Sequence, residues 1–177
     1  MKRKNGDDDV FGFGQLIGIL KKNPKKIVFT EGEDPRILEA SSRLLASYFL
    51  HPILIGDEKR IADAAEESGF NIRGAEIIDP EKFDKIDEMV ELYCELRKKK
   101  GVTPDQAREI LKQANYFGTM LVKMGFADAL LGGATYSTAD TVRPALQLIK
   151  TKPGNNLVSS CFILVRPSAT GDNEVLA

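Results

Sequence analysis

One stretch of the chain gathers residues suited to holding an anion. It runs Gly132-Gly133-Ala134-Thr135-Tyr136-Ser137-Thr138, with Asp140 and Arg143-Pro144 close behind. The apolar run Asp128–Leu131 ahead of it reads as a buried strand, and Ser137–Lys150 reads as mainly helical. The first N–H groups of a helix have no partner within it and carry partial positive charge, so they favour phosphate or carboxylate. Two adjacent glycines let the backbone approach a bulky anion. Ser137 and Thr138 add hydroxyl donors. The same residues also fit a plain strand–helix turn closed by a Ser137–Asp140 capping box, and spacing alone leaves both readings open.

Two arginines extend the argument. Arg143 precedes Pro144, which disfavours α geometry and removes a backbone donor, so the helix must bend or restart there. Its planar fork suits a phosphate or carboxylate, but it could equally pair with Asp140 or cap carbonyls that the proline frees. Arg97 lies one turn after Tyr93, beside an apolar stripe, where its head could face a cleft. The following Lys98, Lys99 and Lys100 form a basic last turn that complements the helix dipole. Other candidates are weaker. His51 stands before Pro52 at a strand entrance far from the glycine loop. Thr30-Glu31-Gly32-Glu33-Asp34 reads as a capped turn, although its strand-end position keeps a site role open. The Gly12-Phe13-Gly14 pair has no strand before it and no third glycine in place, which removes a dinucleotide fingerprint.

The elements needed to position these groups alternate along the chain. A helix is expected within Phe11–Lys22, then a strand at Lys26–Thr30. Asp34 caps a helix that Pro35 opens. A strand at Pro52–Ile55, a helix at Glu58–Glu67 and a brief strand at Ala75–Ile78 follow. One long helix is expected over Lys82–Lys99. A second should start at the capping box Thr103-Pro104-Asp105-Gln106 and run to Gly125. Asn156–Val165 reads as a long apolar strand. The alternation predicts an α/β fold, a mostly parallel sheet with helices on both faces. The boundaries are a leader and short helix over 1–24, an α/β domain over 25–152, and a linker with the beginning of an incomplete second domain over 153–177.

Composition narrows the function classes. The 25 basic and 26 acidic residues give a net charge of −1, so no excess of positive charge points to nucleic acid or anionic lipid. Any anion site must come from local placement. Cys94 and Cys161 read as buried free thiols, and a single histidine argues against a His-based metal centre. No apolar stretch reaches the length of a membrane span, and no signal peptide is read at the start. A cytoplasmic location is expected.

Ser137-Thr138-Ala139-Asp140-Thr141-Val142-Arg143-Pro144-Ala145-Leu146-Gln147, with Ile149-Lys150-Thr151, resembles the signature of the phosphate acetyl- and butyryltransferase family. Glu95-Leu96-Arg97-Lys98-Lys99-Lys100-Gly101 and Ile27-Val28-Phe29-Thr30-Glu31-Gly32-Glu33-Asp34 are similar to the same family, in the same order. The continuation Thr151-Lys152-Pro153-Gly154 favours acetyl over butyryl transfer. The resemblance implies two α/β domains, similar in architecture to isocitrate and isopropylmalate dehydrogenases, and a homodimer. It implies coenzyme A (or acetyl-CoA), acetyl phosphate and inorganic phosphate as ligands, with no metal and no tightly bound cofactor. Substrate contacts are expected from Arg143, Ser137, Thr138, Arg97 and Gly133. No catalytic residue is expected in this chain, because the family's aspartate base belongs to the second domain. The chain is therefore expected to be a truncated piece with little activity of its own. A non-catalytic binding or assembly module of the same fold is the alternative.

Overall fold

The computed structural model describes residues 13–160, 164–167 and 173–176. Helix α1 spans Phe13–Lys22 and leads into strand β1, Lys25–Phe29. Asp34 accepts the Arg36 N–H and opens α2, Pro35–Ser47, at the proline the sequence marked. Strand β2 (Leu50–Ile55), α3 (Glu58–Ser68) and β3 (Glu76–Ile78) complete one wing. Helix α4 (Ile86–Leu96), a 3₁₀ turn (Lys98–Lys100), α5 (Pro104–Leu111) and α6 (Ala114–Lys123) precede β4, Ala129–Leu131. Helix α7 covers Thr138–Pro144 and passes directly into a π-helical turn, Ala145–Ile149. A short antiparallel hairpin pairs β5, Leu164–Pro167, with β6, Asn173–Leu176.

The four-stranded sheet is parallel throughout and ordered β3-β2-β1-β4. Its strands are short apolar runs because both faces are covered. Val28, Ile53, Ile55 and Ile78 point to one side and join Met89, Tyr93, Leu111, Phe117 and Leu121 of α4, α5 and α6. Phe29 and Leu54 point to the other and join Ile37, Leu38, Ile61 and Ala65 of α2 and α3. This is the expected α/β architecture with helices on both faces.

Two expectations fail. The helix expected from Thr103 to Gly125 is broken, with Gln113 in an extended conformation (φ −79°, ψ 120°). The Asn115 side chain accepts the Tyr116 N–H, a local bond that competes with helix continuation. The apolar period runs across the break, which is why the sequence reads as one helix. The long strand expected over Asn156–Val165 is seen only at its end, where Leu164 and Val165 open β5. Residues 156–160 form no strand, and Leu157 and Val158 are exposed. Positions 161–163, Cys161 among them, lie outside the described residues.

Candidate functional site

Strand β1 pairs with β2 on one side and β4 on the other, so the strand order reverses between β1 and β4 while all strands stay parallel. The crevice beyond the carboxyl ends of such a pair is where open α/β sheets place their ligands. Register aligns Phe29 with Leu131, so Glu31 and Gly133, each two residues further on, come level at the crevice.

The Glu31 carboxylate fills the glycine loop. Its Oε1 accepts N–H bonds from Gly133 at 3.1 Å, Thr135 at 2.9 Å and Tyr136 at 3.4 Å. The Thr135 hydroxyl adds a fourth donor at 3.4 Å. Oε2 accepts the Thr30 hydroxyl at 2.8 Å. Burial raises the Glu31 pKa, but the N–H of Thr135, the Thr30 hydroxyl and the amides of Gly133 and Tyr136 together hold it below its ordinary value. Burial, with the charges of Glu31 and Asp140, pushes the Tyr136 phenol up. On the far side of the loop, Arg36 Nη2 donates to the Ala134 carbonyl at 2.7 Å while its fork grips Asp34.

Helix α7 begins directly after this loop. Ser137 Oγ accepts the Asp140 N–H at 3.2 Å and donates to Asp140 Oδ2 at 2.6 Å, so its hydroxyl is engaged as a cap. Thr138 and Arg143 are exposed. Pro144 does not end the helix. It cannot donate to the Asp140 carbonyl four residues back, and buried Asn115 supplies the missing donor through Nδ2 at 2.9 Å. Beyond the proline the ladder widens to π geometry, with Lys150 N–H on the Ala145 carbonyl at 3.0 Å. Lys150 then takes φ 65° and ψ −179°, a positive-φ conformation rare for a residue with a Cβ. Turns of π type and strained residues concentrate at functional sites.

The π turn delivers Gln147 and Lys150 to a cavity of about 400 Å³ that also meets Glu95, Leu96, Arg97 and Lys98–Lys100. Five cations and one carboxylate therefore surround one cleft. Arg97 caps the end of α4, half-buried, and its Nε is hidden from solvent with no hydrogen-bond partner among the described residues. Behind it Tyr93 stacks edge-on against Tyr116, whose hydroxyl donates to Gln147 Oε1 at 3.3 Å. Burial raises the Tyr93 pKa, with Tyr116 adding to the shift and the Arg97 cation opposing it.

The expected site residues thus fall into two groups. Arg97 lies in the basic cavity. Gly133, Ser137 and Thr138 lie at the glycine loop, and Arg143 stands one turn ahead of Gln147 on the connecting helix. The Gly133 N–H is bonded to Glu31. Ser137 likewise spends its hydroxyl on Asp140. Sequence reasoning missed Asn115, Gln147 and Lys150. It read Glu31 within a capped turn and kept a site role open from its place at a strand end. His51 is exposed at the start of β2, remote in sequence from either group. Among the described residues, no cluster of His, Cys, Asp or Glu could hold a metal ion.

A parallel α/β sheet with a strand-end loop and a basic cavity places the chain among open α/β folds, whose ligand sites lie at the carboxyl ends of their strands. The comparisons narrow it. A model of the phosphate acetyl/butaryl transferase family matches residues 13–177. The phosphate acetyltransferase of Thermoanaerobacterium thermosaccharolyticum is 46% identical over 161 residues, covering 90% of this chain and 48% of that protein. Its Bacillus subtilis counterpart is 50% identical over 141 residues, covering 80% and 43%. The solved EutD phosphotransacetylase from Staphylococcus aureus superposes with a TM-score of 0.79 at 42% identity, covering 90% of this chain and 49% of its own. A Streptococcus pyogenes phosphotransacetylase gives 0.77 at 40%, covering 93% and 51%. The chain belongs to the phosphate acetyl/butaryl transferase family. It spans about half the length of the relatives it matches.

Proposed function

We propose that this chain provides the phosphate-recognising part of an enzyme that exchanges an acetyl group between acetyl phosphate and the thiol of coenzyme A. In that reaction a thiolate attacks the acetyl carbonyl, a C–S bond forms, the C–O bond to phosphate breaks, and a base takes the thiol proton. Phosphate and both substrates are anionic, so local cationic groups must hold them and stabilise the leaving group. The observation that carries this reading is the Arg97 cavity, which gathers five cations in a chain of net charge −1. Arg97 and Arg143 each take a phosphoryl group, one from coenzyme A and the other from acetyl phosphate. Thr138 offers the exposed hydroxyl at the start of α7. Glu31 is committed to the loop and is not assigned as the thiol base. The protein is proposed to work in the cytoplasm as a homodimer. Among the described residues, no helix is long and apolar enough to cross a membrane.

Calorimetric titration of this chain with coenzyme A, and separately with acetyl phosphate, tests the assignment. Arg97→Ala is expected to weaken one ligand roughly tenfold or more and Arg143→Ala the other, as for lost charge-assisted bonds. If both variants bind both ligands like the parent, the reading is wrong. A chimera joining this chain to the second half of the Bacillus subtilis relative should form acetyl-CoA and lose that activity with Arg143→Ala. The chain alone should form little.

A further inference from the structure

We infer that Glu31 is a positioning residue: its carboxylate is the anion for which the Gly133–Tyr136 loop is shaped, and substrate phosphate does not enter that loop. Three backbone N–H groups and a hydroxyl converge on Oε1, and Oε2 is held by Thr30. Such convergence of amides is the arrangement that binds a phosphate oxygen elsewhere. Here the chain supplies the anion itself. A phosphate brought to the same amides would meet a charged carboxylate whose partners it would have to take.

Glu31 is also poorly placed to step aside. The next residue, Gly32, is wedged against the neighbouring strand and helix, since a Cβ there would lie 2.7 Å from the Ile55 carbonyl oxygen and 2.8 Å from Ile61 Cδ1. Gly132, at the root of the loop, is as tight against Thr30, with its Cβ position 2.7 Å from the hydroxyl oxygen. The loop itself is gripped from both polarities. Glu31 takes its N–H groups, and Arg36 donates to its Ala134 carbonyl. A segment held in this way is a fixed mount. It ends at Tyr136, immediately before the Ser137 cap, and so sets the start of the helix that carries Arg143 and continues to Gln147 and Lys150. The consequence that phosphate recognition then falls to the arginine and lysine groups rests on the acyl-transfer reading. The occupancy of the loop by Glu31 does not.

The test uses amide resonances of Gly133, Thr135 and Tyr136 in isotope-labelled chain, with inorganic phosphate and acetate as probes. In the parent protein neither probe should move them at millimolar concentration. In Glu31→Ala, acetate should bind in the vacated place, return the three resonances toward their parent positions and recover part of the lost thermal stability. Two results would overturn the inference. One is phosphate shifting the same three amides in the parent. The other is a folded Glu31→Ala chain whose three amides keep their parent positions and ignore acetate. Should that variant not fold, Glu31→Gln decides. Its neutral amide should raise hydrogen exchange several-fold at these three positions while Val28 and Leu54 stay protected, and unchanged exchange would refute the idea. None of these readouts involves acyl transfer, so they stand or fall apart from the proposed activity.

Discussion

Glu31 couples the loop to pH, and the sign follows from its surroundings. Burial alone would raise its pKa, but the hydrogen bonds from Thr135, Thr30, Gly133 and Tyr136 outweigh it, leaving the folded value below the ordinary 4.5. The unfolded chain then binds a proton more readily than the folded one. The stabilisation is full above about 4.5 and is lost as pH falls through the lower folded value. Thermal unfolding across that acid range should therefore show a steep loss in the parent and a shallower one in Glu31→Gln. Some slope must remain, because Asp34 and Asp128 are also held low by their partners. Asn115 offers a second residue-level test with no charge involved. Asn115→Ala leaves the partly buried Asp140 carbonyl without its donor and should cost about 1–3 kcal/mol by denaturant unfolding. Ser41 is the counterexample, with a fully buried hydroxyl that has no partner among the described residues, so Ser41→Ala should be neutral or stabilising in the same assay.

At the scale of elements, the close seating of α6 on the sheet has a measurable consequence. Gly118 faces β1 and β4, where a Cβ would come within 2.9 Å of Val28 Cγ1 and 3.0 Å of Leu130 Cδ1. Val28 is fully buried and β-branched, so it has little room to yield. Gly118→Ala should destabilise, because overpacking costs roughly 1–3 kcal/mol and the helix gains only about 1 kcal/mol from alanine. Gly18 in α1 has open space around its Cβ position, so Gly18→Ala should leave stability unchanged or raised. The same elements show what the sequence could express. Strands β1 to β3 and the caps at Asp34 and Thr103 were readable because apolar runs and cap chemistry are local signals. The break at Gln113 was not, since the apolar period continues through it and the interruption serves a contact 25 residues away, from Asn115 to Asp140. The glycine loop was readable as an anion cradle by its residue types. Its occupant was not, because Glu31 lies 102 residues from Gly133 and only the β1–β4 register brings them level. Arg97 was singled out by its place beside an apolar stripe. Gln147 and Lys150 escaped because a π turn after a proline has no periodic signature.

The molecule as a whole leaves an apolar face without cover among the described residues. Val142, Leu146 and Ile149 recur at four- and three-residue steps along α7 and the π turn, and all three are exposed. Strand β4 is the outer strand of the sheet, with Leu131 half exposed and one edge carrying no strand partner among the described residues. Open strand edges and apolar stripes are the surfaces on which copies of a chain associate. A net charge of −1 provides almost no repulsion to oppose it. The chain is therefore expected to self-associate with rising concentration, measured by sedimentation velocity, and the association should change little with salt because it is apolar. Leu146→Glu combined with Ile149→Glu places like charges on both copies and should move the association midpoint at least about tenfold upward, a total loss of about 1.4 kcal/mol or more of association free energy. Arg97→Ala, in the basic cavity, should leave that midpoint where it was. A parent chain that stays monomeric at high concentration, or a double variant that associates as the parent does, would show that this stripe is not where two copies meet.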